Sequence, residues 1–445
     1  MGRIAPLAKR THLRLIRPEI GTDESSHRMQ TLQQTIDQIA IFDTHEHLIS
    51  PTEYTTLQPD IITALFGVNG YIQHDLVSAG CTYQAIDAFL DQHTHDIATR
   101  WAFVADYWQH CQHTGYGEAV RRSAQILYGI DHIDATSLER AAPLQARYHG
   151  VAGYQRALAH ANLQEIQVDA FTWHPPLTPE VPSLRYDLNV QTIADGSVVL
   201  DAVAAHTGIA VTTVAEYRLA LQTLLRMHAT DIVALKTQHA YTRTLAWTHI
   251  ADDVCQHAFA KHRAGIPLTA HDALVLGDWA LGVIAHEAGI LGIPIKIHTG
   301  HHAGNGAMPL EWLSPRLLTP LIKTFPDTRF VCMHIGYPYH EELLSLAKHY
   351  RNVFVDLCWA WSIDPVTTSA FVRRWIHTVP VSKLFGFGGD AFLPTQTVGF
   401  ADQARHWLTR TLQAEVDDGL LTLDSARAIA VALLSTNQRQ FYQRT

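Results

Sequence analysis

Eight short apolar runs, several of them rich in β-branched residues, are spaced so that a helix fits between most neighbours. Five lie beyond residue 230: "DIVALK" (231–236), "IPIKIH" (293–298), "RFVCMH" (329–334), "NVFVDL" (352–357) and "LFGFGGD" (384–390). Continuous runs of this kind suit strands of a parallel sheet that is covered on both faces. Helical patterns at 271–290, 315–325 and 339–350 separate them. Upstream, "IAIFD" (39–43), "EIQVDAF" (165–171) and "LRYDLNV" (184–190) complete the set. Eight strands alternating with helices predict an α/β chain folded as a distorted (β/α)8 barrel. One connecting helix is well marked over 213–228. Thr213 and Glu216 form a capping box there, and Val214, Tyr217, Leu221 and Leu224 share one face.

Residues 55–163 break the alternation. They are rich in helix formers and aromatics, among them Trp101, Tyr107 and Trp108. They are expected to form a helical insertion after the first strand, lying over the barrel mouth. The barrel itself then comprises 31–54 and 164–445, preceded by a flexible leader over 1–30. That leader carries Arg3, Lys9, Arg10, Arg14 and Arg17, without an apolar segment long enough for a signal peptide. The longest apolar stretch, 279–297, is interrupted by His286 and Glu287 and is not expected to span a membrane.

Composition narrows the partners. With 33 basic and 42 acidic residues the formal charge is −9, which gives no general attraction for nucleic acid or an anionic membrane. A small-molecule substrate is the expected partner, and barrels of this type commonly form homo-oligomers. The five cysteines are odd in number and widely spaced, with no C-x-x-C. That argues against a disulfide framework or a cysteine zinc site and fits a reducing cytoplasm.

The active site of such a barrel lies at the C-terminal ends of its strands. The first strand ends in "DTHEH", with His45 and His47; the fourth ends in Lys236, the fifth in His298, the sixth in His334 and the eighth in Asp390. A chain with 29 histidines yields about two His-x-His pairs by chance, and "QHTHD" (His93, His95) is a second one here. That pair follows no strand and has no partners. A lone strand-ending histidine is more often structural than a ligand, a lone lysine is ordinarily a surface group, and a lone Asp390 can cap a helix. Six such residues at the ends of five strands are not what chance supplies. Imidazoles and a carboxylate suit a borderline divalent ion such as Zn²⁺, and the ion makes a water acidic or polarises a substrate oxygen. Asp390 is the natural proton acceptor. Tyr241, Arg243 and His301 follow strand ends and are candidate substrate contacts, Arg243 because its planar fork suits a carboxylate. His239 and His302 are loop or substrate contacts. Trp359 and Trp361 either wall the pocket or pack under the insertion.

"DTHEH", the strand-ending lysine, "IHTG", "MHIGYP" and "FGGD" resemble the amidohydrolase superfamily. "FVCMHIGYPYHEELLSLAKHYRNVFVDL" is similar, more narrowly, to its amidohydrolase-2 branch and to nodulin-type domains sometimes fused to glutamine synthetase. The resemblance runs from Ile39 to "NQRQFY" and implies a distorted barrel with one or two divalent metals. It implies His45, His47, His298 and Asp390 as the metal set, His334 and Asp390 as catalytic groups, and Lys236 as a carboxylated bridge if a second ion is present. A single Zn²⁺ is expected; Mn²⁺ and Fe²⁺ are alternatives. The reaction implied is hydrolysis of an amide or ester in a small carboxylate-bearing substrate. Uronate isomerisation, decarboxylation and a non-catalytic metal-binding barrel are the competing readings. The arginine-containing signature of uronate isomerases after the fifth strand is not matched by "IHTGHHAGNG".

Overall fold

The structure, a computed structural model, describes residues 31–67, 70–176 and 179–443; the leader expected over 1–30 lies outside them. Nine strands occur in it: β1 (Ile41–Glu46), β2 (Leu163–Val168), β3 (Leu184–Tyr186), β4 (Leu188–Asn189), β5 (Leu235–Thr237), β6 (Ile295–Ile297), β7 (Phe330–Cys332), β8 (Val353–Asp356) and β9 (Leu384–Phe385). Every ladder is parallel, in the orders β1-β2-β3 and β4-β5-β6-β7-β8-β9. β3 and β4 act as one strand. Asp187 N donates to Val168 O on one side, and Leu188 N donates to Ala234 O on the other. All eight expected strands are therefore present, in the expected order.

Three backbone bonds carry the last strand back to the first: Thr44 N to Phe387 O (3.1 Å), Asp390 N to His45 O (3.0 Å) and His47 N to Ala391 O (3.0 Å). No regular ladder forms at this seam, because β9 is two residues long and the chain curls through Gly386–Asp390. The curl needs glycine. A Cβ on Gly389 would run into the Glu46 carboxylate, and one on Gly388 would meet Cys358 and Thr44 at 2.9 Å. This is where the barrel is distorted, and the distortion sets Asp390 beside the end of β1.

β1 begins two residues later than its apolar run and continues through Asp43, Thr44, His45 and Glu46, all fully buried. Hydropathy does not mark this half of the strand, because its residues are polar and yet fully buried. β5 likewise is confined to the end of "DIVALK". The helix Val214–His228 carries the expected Thr213–Glu216 capping box and buries Val214, Tyr217, Leu221 and Leu224. Ala270–Leu291 is long and apolar enough to cross a membrane, but 67% of its most apolar window is buried, as in a core helix.

Between β1 and β2 the described chain is helical, from Pro51–Leu57 to Gly150–His160. Gly115–Tyr128 packs on Pro394–Asp417, where Ser123 Oγ donates to Thr395 O and accepts from Gly399 N (both 2.9 Å). From this helical stretch, Tyr71 and His74 reach the cavity at the barrel mouth.

Candidate metal centre

The ends of β1 and β9 bring three ligand atoms into one triangle. His45 Nε2 lies 3.4 Å from His47 Nε2. Asp390 Oδ1 lies 3.2 Å from the first and 3.3 Å from the second. Alternation along the strand puts His45 and His47 on the same side. Four ligands arranged tetrahedrally at about 2.0–2.1 Å from a zinc-like ion stand roughly 3.3–3.4 Å apart, so this triangle has the size of one tetrahedral face. Asp390 Oδ1 is buried without a hydrogen-bond partner among the described residues. A buried carboxylate oxygen that faces two imidazole nitrogens suits a cation, and Lys236 Nζ stands 3.2 Å from one of those nitrogens. The residues present fit a divalent ion.

The charges are coupled: burial and Lys236 oppose protonation of His45, but the Asp187 and Asp390 carboxylates raise it above the ordinary imidazole value. Burial alone would raise the Asp390 carboxyl, but the close approach and charge of His45, with His47 and His334 behind it, hold it well below the usual range. Burial, helped by the charge of His45, pushes His47 down to about 4, leaving it neutral and able to bind a metal. Its other nitrogen, Nδ1, donates to Asp169 O at 2.9 Å, which orients the ring.

His334 and His298 form a second pair beside the triangle, Nε2 to Nδ1 at 2.9 Å. Nδ1 of His334 donates to Cys358 O (2.9 Å), and Nε2 of His298 donates to His301 O (2.8 Å). In neutral rings, those two bonds leave lone pairs facing each other. The two nitrogens stand at the length of an N–H···N bond, while burial pushes His334 down to about 3 and His298 well below its ordinary value. His298, expected among the metal ligands, is turned to this pair and stands next to the triangle, outside it.

Lys236 reaches the site from β5. Its Nζ lies 3.2 Å from His45 Nε2, donates to Gln238 Oε1 at 2.8 Å and stands 3.7 Å from the Asp169 carboxylate. Asp169 was missed from the sequence as a site residue. It groups with His45 and His47 as a further candidate ligand, and Cys358 groups likewise with His334 and Asp390. The strand-end rule could have found Asp169, which closes β2; the run was carried on to Phe171 instead. Asn189 donates to both Asp169 oxygens, at 3.0 and 2.9 Å. A second buried lysine, Lys296, lies under the site and binds Asp187 (2.8 Å), Gln167 and Thr44 O (both 2.7 Å).

A cavity of about 490 Å³ opens above the triangle, lined among others by His47, His298, Tyr241, Gln238 and Asp390. Tyr241 Oη accepts from Ala303 N at 2.8 Å, and its ring stacks on His302 at 4.0 Å. His301 contributes its carbonyl to His298, while its ring lies 5.7 Å from Trp359. Trp359 stands edge-on to His334 at 5.3 Å; Trp361 is bonded away to Gly386 O. His239 is buried against Thr237, and His93 and His95 are exposed and remote.

Arg243 corrects an expectation. It is buried and ion-paired with Asp278, and it donates to Ala194 O and Ala246 O. Its guanidinium is committed to holding loops together, and it is not among the cavity-lining residues.

Backbone strain gathers at the same mouth. Phe171, His334, Ile335, Trp359 and Asp390 all follow strand ends, and all have positive φ (+50 to +61°) without being glycine. Such residues persist where their surroundings over-determine them, most often at functional sites.

Comparison with known proteins points the same way. Residues 277–423 match the amidohydrolase family model Amidohydro_2. A 155-residue stretch is 29% identical to Protein fluG of Emericella nidulans, covering 34% of this chain and 17% of that protein. Among solved structures, the uronate isomerase of Thermotoga maritima superposes with a TM-score of 0.78 at 12% identity, over 94% of this chain and 97% of that one. The glucuronate isomerase of Caulobacter crescentus gives 0.74 at 17% identity, over 98% of each chain. A protein described as a metal-dependent hydrolase from Lactobacillus casei gives 0.62 at 15% identity, over 92% of this chain and 97% of that one. The chain thus matches the amidohydrolase family model over residues 277–423, and over nearly its whole length it shares the fold of these solved structures.

Proposed function

We propose that this chain is a metal-dependent hydrolase that cleaves an amide or ester bond of a small molecule. The observation that carries the reading is the triangle of His45 Nε2, His47 Nε2 and Asp390 Oδ1 at the floor of an open cavity. A divalent ion held there supplies Lewis acidity, lowering the pKa of a water and polarising a carbonyl.

The chain's own groups do the rest. Asp390 is ionised and buried, so it accepts the proton of the attacking water and returns it to the departing amine or alcohol. The left-handed backbone at Asp390 and the bond from Tyr71 Oη to its carbonyl (2.7 Å) fix the carboxylate for that exchange. The His298–His334 pair stands beside the triangle, and His298 bounds the cavity in which the carbonyl would sit. Lys236, held by Gln238, adds positive charge to the floor next to His45.

Two observations favour hydrolysis over isomerisation of a sugar acid, despite the likeness to uronate isomerases. Among the described residues, no arginine or lysine lines the cavity to hold a carboxylate. The one arginine expected to do so, Arg243, is engaged with Asp278. Turnover of an amide and ester panel in ¹⁸O-labelled water tests the reading. Label in the released acid supports it; turnover of uronates with no label in product would replace it by isomerisation.

A further inference from the structure

We infer that the cavity is built for a flat, uncharged aromatic group joined to the scissile bond, a substrate class that rests on the hydrolase reading above. The inference starts from Phe171. The residue is 52% exposed, although a phenylalanine is ordinarily buried, and its backbone is left-handed at φ +55°. A specific contact accompanies both features. Phe171 N donates to Asp169 Oδ1 at 2.9 Å, and that carboxylate is itself clamped by Asn189.

The result is an aromatic plane at the lip of the cavity. Phe171 lies parallel to His47, 4.1 Å between centroids and 10° between planes. Phe392 continues the stack, 6.2 Å and 15° from Phe171. All three rings line the cavity, and Tyr71 and Tyr241 add two more. Aromatic faces bind flat apolar groups through stacking and burial, with offset or edge contacts as the preferred geometries.

The polar part of the lining is neutral. Gln191 has no side-chain hydrogen bond among the described residues, and Gln238 uses only Oε1, as acceptor from Lys236. Its amide N–H groups remain for a carbonyl or hydroxyl of the ligand. Since no arginine or lysine is among the described lining residues, a second anionic group on the ligand would be desolvated there without a lining partner, which is costly.

The test is binding of hydroxamates, which chelate metal, to zinc-loaded protein by calorimetry. Benzohydroxamate is expected to bind on the order of 30-fold tighter than acetohydroxamate. Adding a para-carboxylate should cost about tenfold. Phe171→Ala should reduce the phenyl preference roughly threefold to tenfold, and Phe171→Tyr should restore it. Phe171 is half exposed, so its removal spares the core. Equal binding of the phenyl and methyl probes, or tighter binding of the carboxylated one, overturns the inference and leaves the metal-dependent hydrolase standing. Binding of neither probe overturns the metal reading and this inference together. Preferential binding of the phenyl probe with no turnover of aryl amides or esters keeps the pocket assignment and sinks the reaction.

Discussion

His47 Nε2 and Asp390 Oδ1 meet at 3.3 Å across the seam of the barrel, one just past the first strand and the other past the last. The contact exists because Asp390 N donates to His45 O and His47 N donates to Ala391 O, so two backbone bonds set the ligand spacing. Chemistry and barrel closure thus depend on the same few residues.

That dependence makes a prediction for Tyr71. Its hydroxyl donates to Asp390 O from within the helical stretch that follows β1. Tyr71→Phe should cost about 1 kcal/mol of stability, the usual net value of one hydrogen bond, and should lower kcat more than it raises KM. Denaturant unfolding and steady-state kinetics on the same preparation measure both. An unchanged kcat would show that Asp390 needs no such support.

Lys296 should be structurally critical. It is fully buried, and it ties Asp187 to Gln167 and to Thr44 O at the centre of the barrel. Lys296→Met leaves the Asp187 charge buried and unpaired and should cost about 3–5 kcal/mol. Adding Asp187→Asn removes that charge and should recover a large part of the loss. Equal stability of the single and double variants would show that the pair is not what matters.

Arg243 separates a structural from a substrate-binding role. Arg243→Ala strands Asp278 in a buried setting, and a loss of about 3–5 kcal/mol is expected. At a temperature where the variant stays folded, KM should equal that of the wild type. A large rise in KM, particularly for carboxylate-bearing substrates, would restore the role that the sequence suggested.

The pH dependence of stability should show the buried acid under the site. Burial, opposed by bonds from Thr44 and the Cys358 N–H, pushes Asp356 up to about 6, against 3.8 for an ordinary aspartate. A folded-state pKa above the unfolded one means that the native state holds its proton longer. Its contribution is therefore full below about pH 4 and is lost as pH rises through about 6. Relative to Asp356→Asn, the wild type should lose on the order of 3 kcal/mol across that window and nothing further above it. A difference independent of pH would mean that Asp356 titrates normally.

The strand ends were legible because each of His45, His47, Lys236, His298, His334 and Asp390 closes an apolar run, and in a barrel that fixes where a side chain emerges. Side-chain direction was less legible. Arg243 lies only seven residues past Lys236, yet nothing local reveals that its partner is Asp278, on a later helix. His298 stood in the right place and faces a different neighbour. Tyr71 and His74 come from a helical stretch with no motif of its own, so only the fold could bring them to the cavity. The left-handed backbone at His334, Trp359 and Asp390 left no trace either, because no glycine marks those positions.

Metal content is the most direct test of the central claim. Protein equilibrated with zinc and freed of excess ion by gel filtration should carry about one equivalent by elemental analysis. Replacing both His45 and His47 with alanine should abolish it while circular dichroism remains that of a folded α/β protein. A folded double variant that retains as much zinc as the wild type, or a wild type that retains none, would contradict the account.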